Sequence, residues 1–240
     1  MNIKDFENKV ICGDCLEVMK GIPDNSVDLI VTDPPYNTGM SQKKTSGSTR
    51  LSHFFDDDYI EEDYQKLVDN CCKEFWRLLK DDKRIYIFMN WKEYPRWFYA
   101  LSYVGFTIKA CIVWDKMIHG LGSQYKYTHE FIIFAVKGNP LIKQPGELSG
   151  YYKDIWRVQR MNYKNKEHDT QKPIKIMWMP ISHGSDVGEI ILDPFIGSGT
   201  AGVAAYSLGR KYIGIELNPK YVKIAEARIK AVKVENKLPL

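Results

Sequence analysis

The chain contains no apolar run of the ~20 residues that a membrane-spanning helix needs, and no charged-then-apolar leader of the secretory kind. A soluble, intracellular (cytoplasmic) protein is therefore expected. Cysteine is scarce and odd in number, five in 240 residues, which makes no even secreted disulfide framework. Cys12-Gly13-Asp14-Cys15 has the spacing of a redox dithiol, but Gly13-Asp14 occupies a turn where such chemistry wants the first thiol at a helix start. A zinc site drawn from Cys12, Cys15, Cys71 and Cys72 fails as well, since adjacent cysteines cannot readily supply the second half of a tetrahedron. No internal repeat is present. Nor is there a large excess of either charge: Lys plus Arg number 34 against 30 Asp plus Glu, a net of +4 that suits a nucleic-acid partner without requiring one.

What is present is a chain long enough to bury a full core as one domain, residues 1–240, with insertions. Short β-branched runs alternate with helical periodicity. Val10-Ile11, 27–32, 84–89, 106–114, 130–136, 189–192 and 212–215 read as strands, 16–20 as a helical turn closed by Gly21 and Pro23, and 60–80, 175–181 and 199–208 as helices. Asn218-Pro219 caps and starts a last helix. Such alternation implies an α/β fold with a doubly wound, mostly parallel sheet and ligands at its carboxyl edge. Two polar stretches interrupt it. Residues 37–55 form a basic, Gly/Ser/Thr-rich loop carrying Lys43, Lys44 and Arg50. Residues 138–166 form a compact insertion with Lys153, Arg157 and Arg160, inside a stretch from Leu141 to Lys175 that alone carries +4.

Two strand ends carry chemistry. The first is Asp33-Pro34-Pro35-Tyr36, directly after the apolar run 27–32. Asp33 and the Pro34 carbonyl can each accept an N–H from a flat amino-bearing base, favouring a pyramidal nitrogen whose lone pair is free to attack. Pro34 and Pro35 restrict the backbone that aims the carbonyl. Tyr36 offers a face on which a base stacks, worth roughly 1–3 kcal/mol. A base inside a duplex would first be flipped out, at a cost of a few kcal/mol.

The second strand end is Asp193-Pro194-Phe195-Ile196-Gly197-Ser198-Gly199-Thr200, with Glu216 seventeen residues beyond Gly199 at the end of the next strand. A glycine turn followed by an acid that accepts from both ribose hydroxyls fits NAD and S-adenosylmethionine equally well when taken alone. Asp193 leans the choice away from NAD, because its charge would repel a pyrophosphate and suit a cationic sulfonium ligand. Asp14 at the first strand end is a candidate for the adenine amine or a plain helix cap, and Asn218 stands beside Glu216. Thr170 and Lys172, just before a helix, could hold a methionine carboxylate. No metal is needed.

Val27 to Asn37, Ile191 to Thr200, Thr170-Gln171-Lys172-Pro173 and the strand His129 to Ala135 together resemble segments of the β-class DNA amino-methyltransferases, in which the catalytic motif precedes the cofactor motif as it does here. The resemblance spans residues 8–232. It implies a seven-stranded sheet with one antiparallel strand, S-adenosylmethionine as cofactor and double-stranded DNA as partner. It also implies adenine N6 as target, a role in restriction–modification or epigenetic marking, and residues 138–166 as the target-recognition insertion; 37–55, through Lys43, Lys44 and Arg50, and 138–166, through Lys153, Arg157 and Arg160, are expected to contact DNA around the target. Cytosine N4 is the runner-up target, an RNA or protein amide a remoter one; an NAD-dependent oxidoreductase and a non-enzymatic DNA-binding protein are the readings from other classes. Asp169 follows His168 where the family usually has Pro, and Ala201 follows Thr200 where it often has Thr. Pairing into a homodimer is compatible with the family, though the sequence offers no self-complementary face to argue it from.

Overall fold

The computed structural model describes residues 2–37, 61–118, 120, 122, 124–141, 152–161 and 172–232. Among these, eight strands form a single sheet: β1 (Lys9–Cys12), β2 (Val27–Thr32), β3 (Leu79–Met89), β4 (Thr107–Asp115), β5 (His129–Lys137), β6 (Ile155–Arg157), β7 (Ile190–Asp193) and β8 (Lys211–Glu216). Their order across the sheet is β1-β8-β7-β2-β3-β5-β4-β6. Only β5 runs against its neighbours, so the expected single antiparallel strand is found. The count differs from the expected seven. The extra strand is β6, three residues of the 138–166 insertion that add in parallel to the outer edge of β4 through Val113↔Ile155 to Asp115↔Arg157.

Both faces of the sheet are covered. α1 (Cys15–Lys20), α2 (Glu61–Leu78) and α3 (Tyr94–Val104) pack on one side, and α4 (Ile174–Gly184), α5 (Thr200–Ser207) and α6 (Pro219–Lys230) on the other. This is why β2 is buried at all six positions and reads as a continuous apolar run rather than an alternation. Asp28 is the exception within β2. It is buried because Lys80 reaches it at 2.8 Å and the Ile190 N–H donates to it at 3.0 Å, tying β2 to β3 and β7. In α2 the buried residues Tyr64, Val68, Cys71, Cys72, Phe75 and Leu78 recur at helical spacing and form the inward stripe.

One helix lies outside the expected set. α3 begins with Pro95 in its first turn and ends at Gly105, whose φ of 117° stops it. Its aromatic residues divide between water and core, with Tyr99 and Tyr103 exposed and Trp97 fully buried.

The chain winds outward from β2 to β3 in one direction and later from β7 to β8 in the other. The carboxyl ends of β2 and β7 therefore flank the point where the winding reverses, the place where open α/β sheets leave a crevice for ligands.

Candidate active site

Two acidic strand ends meet at that crevice. Leu29↔Ile191 and Ile30↔Leu192 put β2 and β7 in register, and the Thr32 hydroxyl donates to Asp193 Oδ1 at 2.8 Å across the seam. Asp33 and Asp193 thus line one cleft, together with Phe195, Gly197, Ser198 and Lys172. Far apart along the chain, they are made neighbours by the sheet.

On the β2 side, both oxygens of Asp33 are engaged. Its Oδ1 accepts from the Tyr36 hydroxyl at 2.5 Å, and its Oδ2 pairs with the Lys172 ammonium. Tyr64 of α2 donates to the Pro35 carbonyl at 2.8 Å and receives the Trp97 indole N–H at 3.4 Å, so the core itself fixes the proline segment. Lys172 also faces Glu130 Oε2 of β5 at 3.4 Å, and its ammonium lies 5.4–5.9 Å from the ring centres of Phe88, Tyr36 and Trp114. Lys116 approaches the other Glu130 oxygen at 3.4 Å.

The charges follow from these contacts. Burial raises the Asp33 carboxyl above its usual range, and the Lys172 charge opposes that rise. Burial acts on Glu130 in the same sense, but Lys172 and Lys116 outweigh it and hold Glu130 below its usual value. Lys172 is itself disfavoured as a cation by burial, yet Asp33 and Glu130 raise it above normal. Tyr36 is driven well up by burial and by the Asp33 charge beside it, so its hydroxyl keeps its proton.

On the β7 side the acids are held by neutral donors. Asp193 Oδ1 also accepts the Phe195 N–H at 3.1 Å. Burial pushes Asp193 up to about 7 against these bonds, with the Asp33 and Glu216 charges adding to the rise. Glu216, at the end of β8, takes the Gly197 N–H at 3.1 Å and the Asn218 N–H at 2.7 Å; burial raises it and those N–H groups resist. Gly199 turns the chain into α5 with φ 88°, and a Cβ there would come within 2.8 Å of Ala225 of α6. Glycine is demanded by both the φ and the close approach.

The cofactor half fits a cationic nucleoside better than a dinucleotide. Glu216 keeps lone pairs for a ribose diol, Asp193 can answer an ammonium, and Lys172, the one cation among the described lining residues, is already matched by two carboxylates. Asp14 caps α1 by accepting the Leu16 and Glu17 N–H groups, and lies beside Glu216 because Gly13 donates to the Glu216 carbonyl at 3.0 Å. Asn218 caps α6 through the Lys220 N–H.

The remaining expected residues divide. Arg157 ends β6 opposite Asp115 and Arg160 donates its N–H to the Lys116 carbonyl, so both stand at the catalytic edge. Lys153 precedes β6, away from that edge, and lines a groove with Tyr86, Phe134, Trp156 and His183. Lys43, Lys44, Arg50 and Thr170 lie outside the described residues, as do 38–55 of the expected loop. Glu130 and Lys116 were not among the expected residues. The signal was an acid opening an otherwise apolar strand, His129-Glu130 before Phe131 to Val136.

Comparison with known proteins agrees with this geometry. The model of a family described as DNA methylase matches residues 27–227. Type II methyltransferase M.HinfI of Haemophilus influenzae is 30% identical over 97% of this chain and 71% of its own. Among solved structures, a putative DNA modification methylase of Thermus thermophilus complexed with S-adenosyl-L-methionine aligns with TM-score 0.69 and 25% identity, over 92% of this chain and 93% of that one. The cytosine-N4-specific PvuII DNA methyltransferase shares the fold, with TM-score 0.73 at 18% identity over 95% of this chain and 88% of that one.

Proposed function

We propose, from the premise that this chain belongs to the N6/N4 DNA methylase family and uses S-adenosylmethionine, that it methylates adenine N6 at specific sites in double-stranded DNA, within a restriction–modification or marking role. The observation that carries the reading is the side-by-side placement of Asp33-Pro34-Pro35-Tyr36 and Asp193 on adjacent strands, joined by the Thr32 hydroxyl.

S-adenosylmethionine, when bound, supplies an electrophilic methyl group on a sulfonium. The chain's own residues supply alignment. Asp33 accepts an N–H of the exocyclic amine and the Pro34 carbonyl accepts the other, so the nitrogen lone pair turns out of the ring plane toward the donor. Tyr36 orients Asp33 through its hydroxyl and presents its ring to the flipped base. Glu216, Asp193 and Phe195 hold the cofactor, with Asp14, Asn218 and Gly197 to Thr200 around it. Arg157 and Arg160 position the duplex by its phosphates.

Cytosine N4 is the second reading, since the same two acceptors serve any aromatic amine and the PvuII enzyme of this fold is cytosine-N4-specific. Adenine is favoured by the Asp of the first motif, where cytosine-N4 enzymes of this kind more often carry Ser. Incubation with labelled S-adenosylmethionine and mixed-sequence duplex, followed by digestion to nucleosides and mass analysis, decides between them. N6-methyladenine is the expected product. N4-methylcytosine would overturn the substrate, and no labelled nucleoside would remove DNA as the substrate.

A further inference from the structure

A base amine that is to donate to Asp33 must share carboxylate oxygens that each already accept one donor, the Tyr36 hydroxyl on Oδ1 and the buried Lys172 ammonium on Oδ2. The lysine has somewhere else to go. Glu130 Oε2 is buried and lacks a hydrogen bond of ordinary geometry, yet it lies only 3.4 Å from the Lys172 ammonium. A buried carboxylate oxygen left without a donor is costly, so a second seat for the cation stands ready. Glu130 itself is fixed. It pairs with Trp114 across the β4–β5 ladder, and Lys116 steadies its other oxygen.

The surroundings let the ammonium cross between the two acids. β3 lies between β2 and β5, and its Phe88 ring sits 5.4 Å from the ammonium, with Tyr36 at 5.6 Å and Trp114 at 5.9 Å. Attraction to ring faces is weakly directional compared with a hydrogen bond, so the cation keeps it through a small swing. Lysine suits this task better than arginine, being a compact charge on a flexible stem with three rotatable donors.

We propose that Glu130 is a positioning residue for base capture: it receives Lys172 when the exocyclic amine of the target base takes Asp33 Oδ2. The inference rests on the reading that Asp33 orients that amine. In the free protein Lys172 occupies Asp33 Oδ2, and its charge opposes the rise that burial imposes on that carboxyl. With a base present, Glu130 holds the displaced ammonium inside the site, where its field still favours the ionised form of Asp33.

The test is a double-mutant cycle on single-turnover methylation of duplex DNA at saturating S-adenosylmethionine, with cofactor affinity measured beside it by calorimetry. Glu130→Gln is expected to slow methyl transfer about tenfold or more while cofactor affinity stays within about twofold. Glu130→Asp, which keeps the charge, should recover most of that loss. In a Lys172→Met background the same Glu130→Gln change should cost less than about twofold, because no ammonium remains to be received. Equal losses from Glu130→Gln in both backgrounds would overturn the proposal. If Lys172→Met does not fold, the single variants decide. A Glu130→Gln protein with the wild-type rate, or one whose cofactor affinity falls in step with its rate, would overturn it, as would failure of Glu130→Asp to recover activity. A wild-type protein that labels no DNA would instead defeat the underlying reading of Asp33.

Discussion

Two pairs of acids share one sheet edge and are stabilised in opposite ways. Asp193 and Glu216 are held by a hydroxyl and backbone N–H groups, all neutral, and both rise above their usual pKa. Asp33 and Glu130 lean on ammonium groups, Lys172 between them and Lys116 beyond. The difference mirrors what each half must receive. A sulfonium cofactor brings its own positive charge, so its half supplies anions. An aromatic base arrives neutral, so the other half carries its counter-charge with it. Buried carboxylates without either would simply take up protons.

The comparison breaks most visibly at Asp33. Asp33→Ala is expected to lower single-turnover methylation by about 10³, in the range seen when one preorganised acceptor or donor is lost from a site. Cofactor affinity, read by calorimetry, should stay near wild type. A parallel fall in both would mean that the two halves are not separate.

Next in size is Asp193→Asn, expected to weaken S-adenosylmethionine binding by tenfold or more, since about 1.4 kcal/mol is a factor of ten. Without cofactor the same variant should melt higher at pH 8. The sign follows from linkage. The folded-state pKa of Asp193 rises from the ordinary 3.8 to about 7, so its contribution to stability is full below pH ~4 and lost as pH climbs through ~7. Asparagine has no proton to lose. A gain of a few degrees in Tm at pH 8, shrinking toward pH 5, is the expected pattern, at ~2–4 °C per kcal/mol for a chain of this size.

The same group sharpens the comparison through pH alone. A cationic ligand prefers ionised Asp193, so wild-type affinity for S-adenosylmethionine should rise by up to ~tenfold per unit between pH ~5.5 and ~7, then level. Asp193→Asn should show no such slope over that range. A flat wild-type profile would place the ammonium elsewhere.

The smallest effects concern DNA. Arg157→Ala and Arg160→Ala should each weaken duplex binding a few-fold and make the salt slope shallower by about 0.9 for each phosphate no longer neutralised. Lys153→Ala, at the far end of β6, should change neither by more than about twofold. Equal effects of all three would extend the DNA along β6 as far as the Lys153 groove.

The parts that sequence made legible are those governed by neighbours along the chain. β2 and β7 announce themselves as apolar runs cut by Asp-Pro, and the Gly197 to Thr200 turn by backbone conformations that only glycine takes readily. α2 shows its inward stripe at helical spacing, because one face meets the core and the other meets water. α3 lay outside the expected helices, its aromatic residues standing both in the core, as Trp97, and in water, as Tyr99 and Tyr103. β6 was missed as a strand because three residues hold no periodicity and owe their conformation to the edge of β4.

The two chemical ends, their glycine turn and their acids were determined by the sequence alone, as local strings whose conformations need no distant partner. That Lys172 meets Asp33 from 139 positions away, that Glu130 waits beside them, and that Arg157 stands at the catalytic edge while Lys153 lines a separate groove were decided only by the tertiary structure. Strand order and direction settle such meetings. Reversing β5 brings its first residues, not its last, to the catalytic edge, and with them Glu130, a consequence of sheet topology that no spacing along the chain encodes.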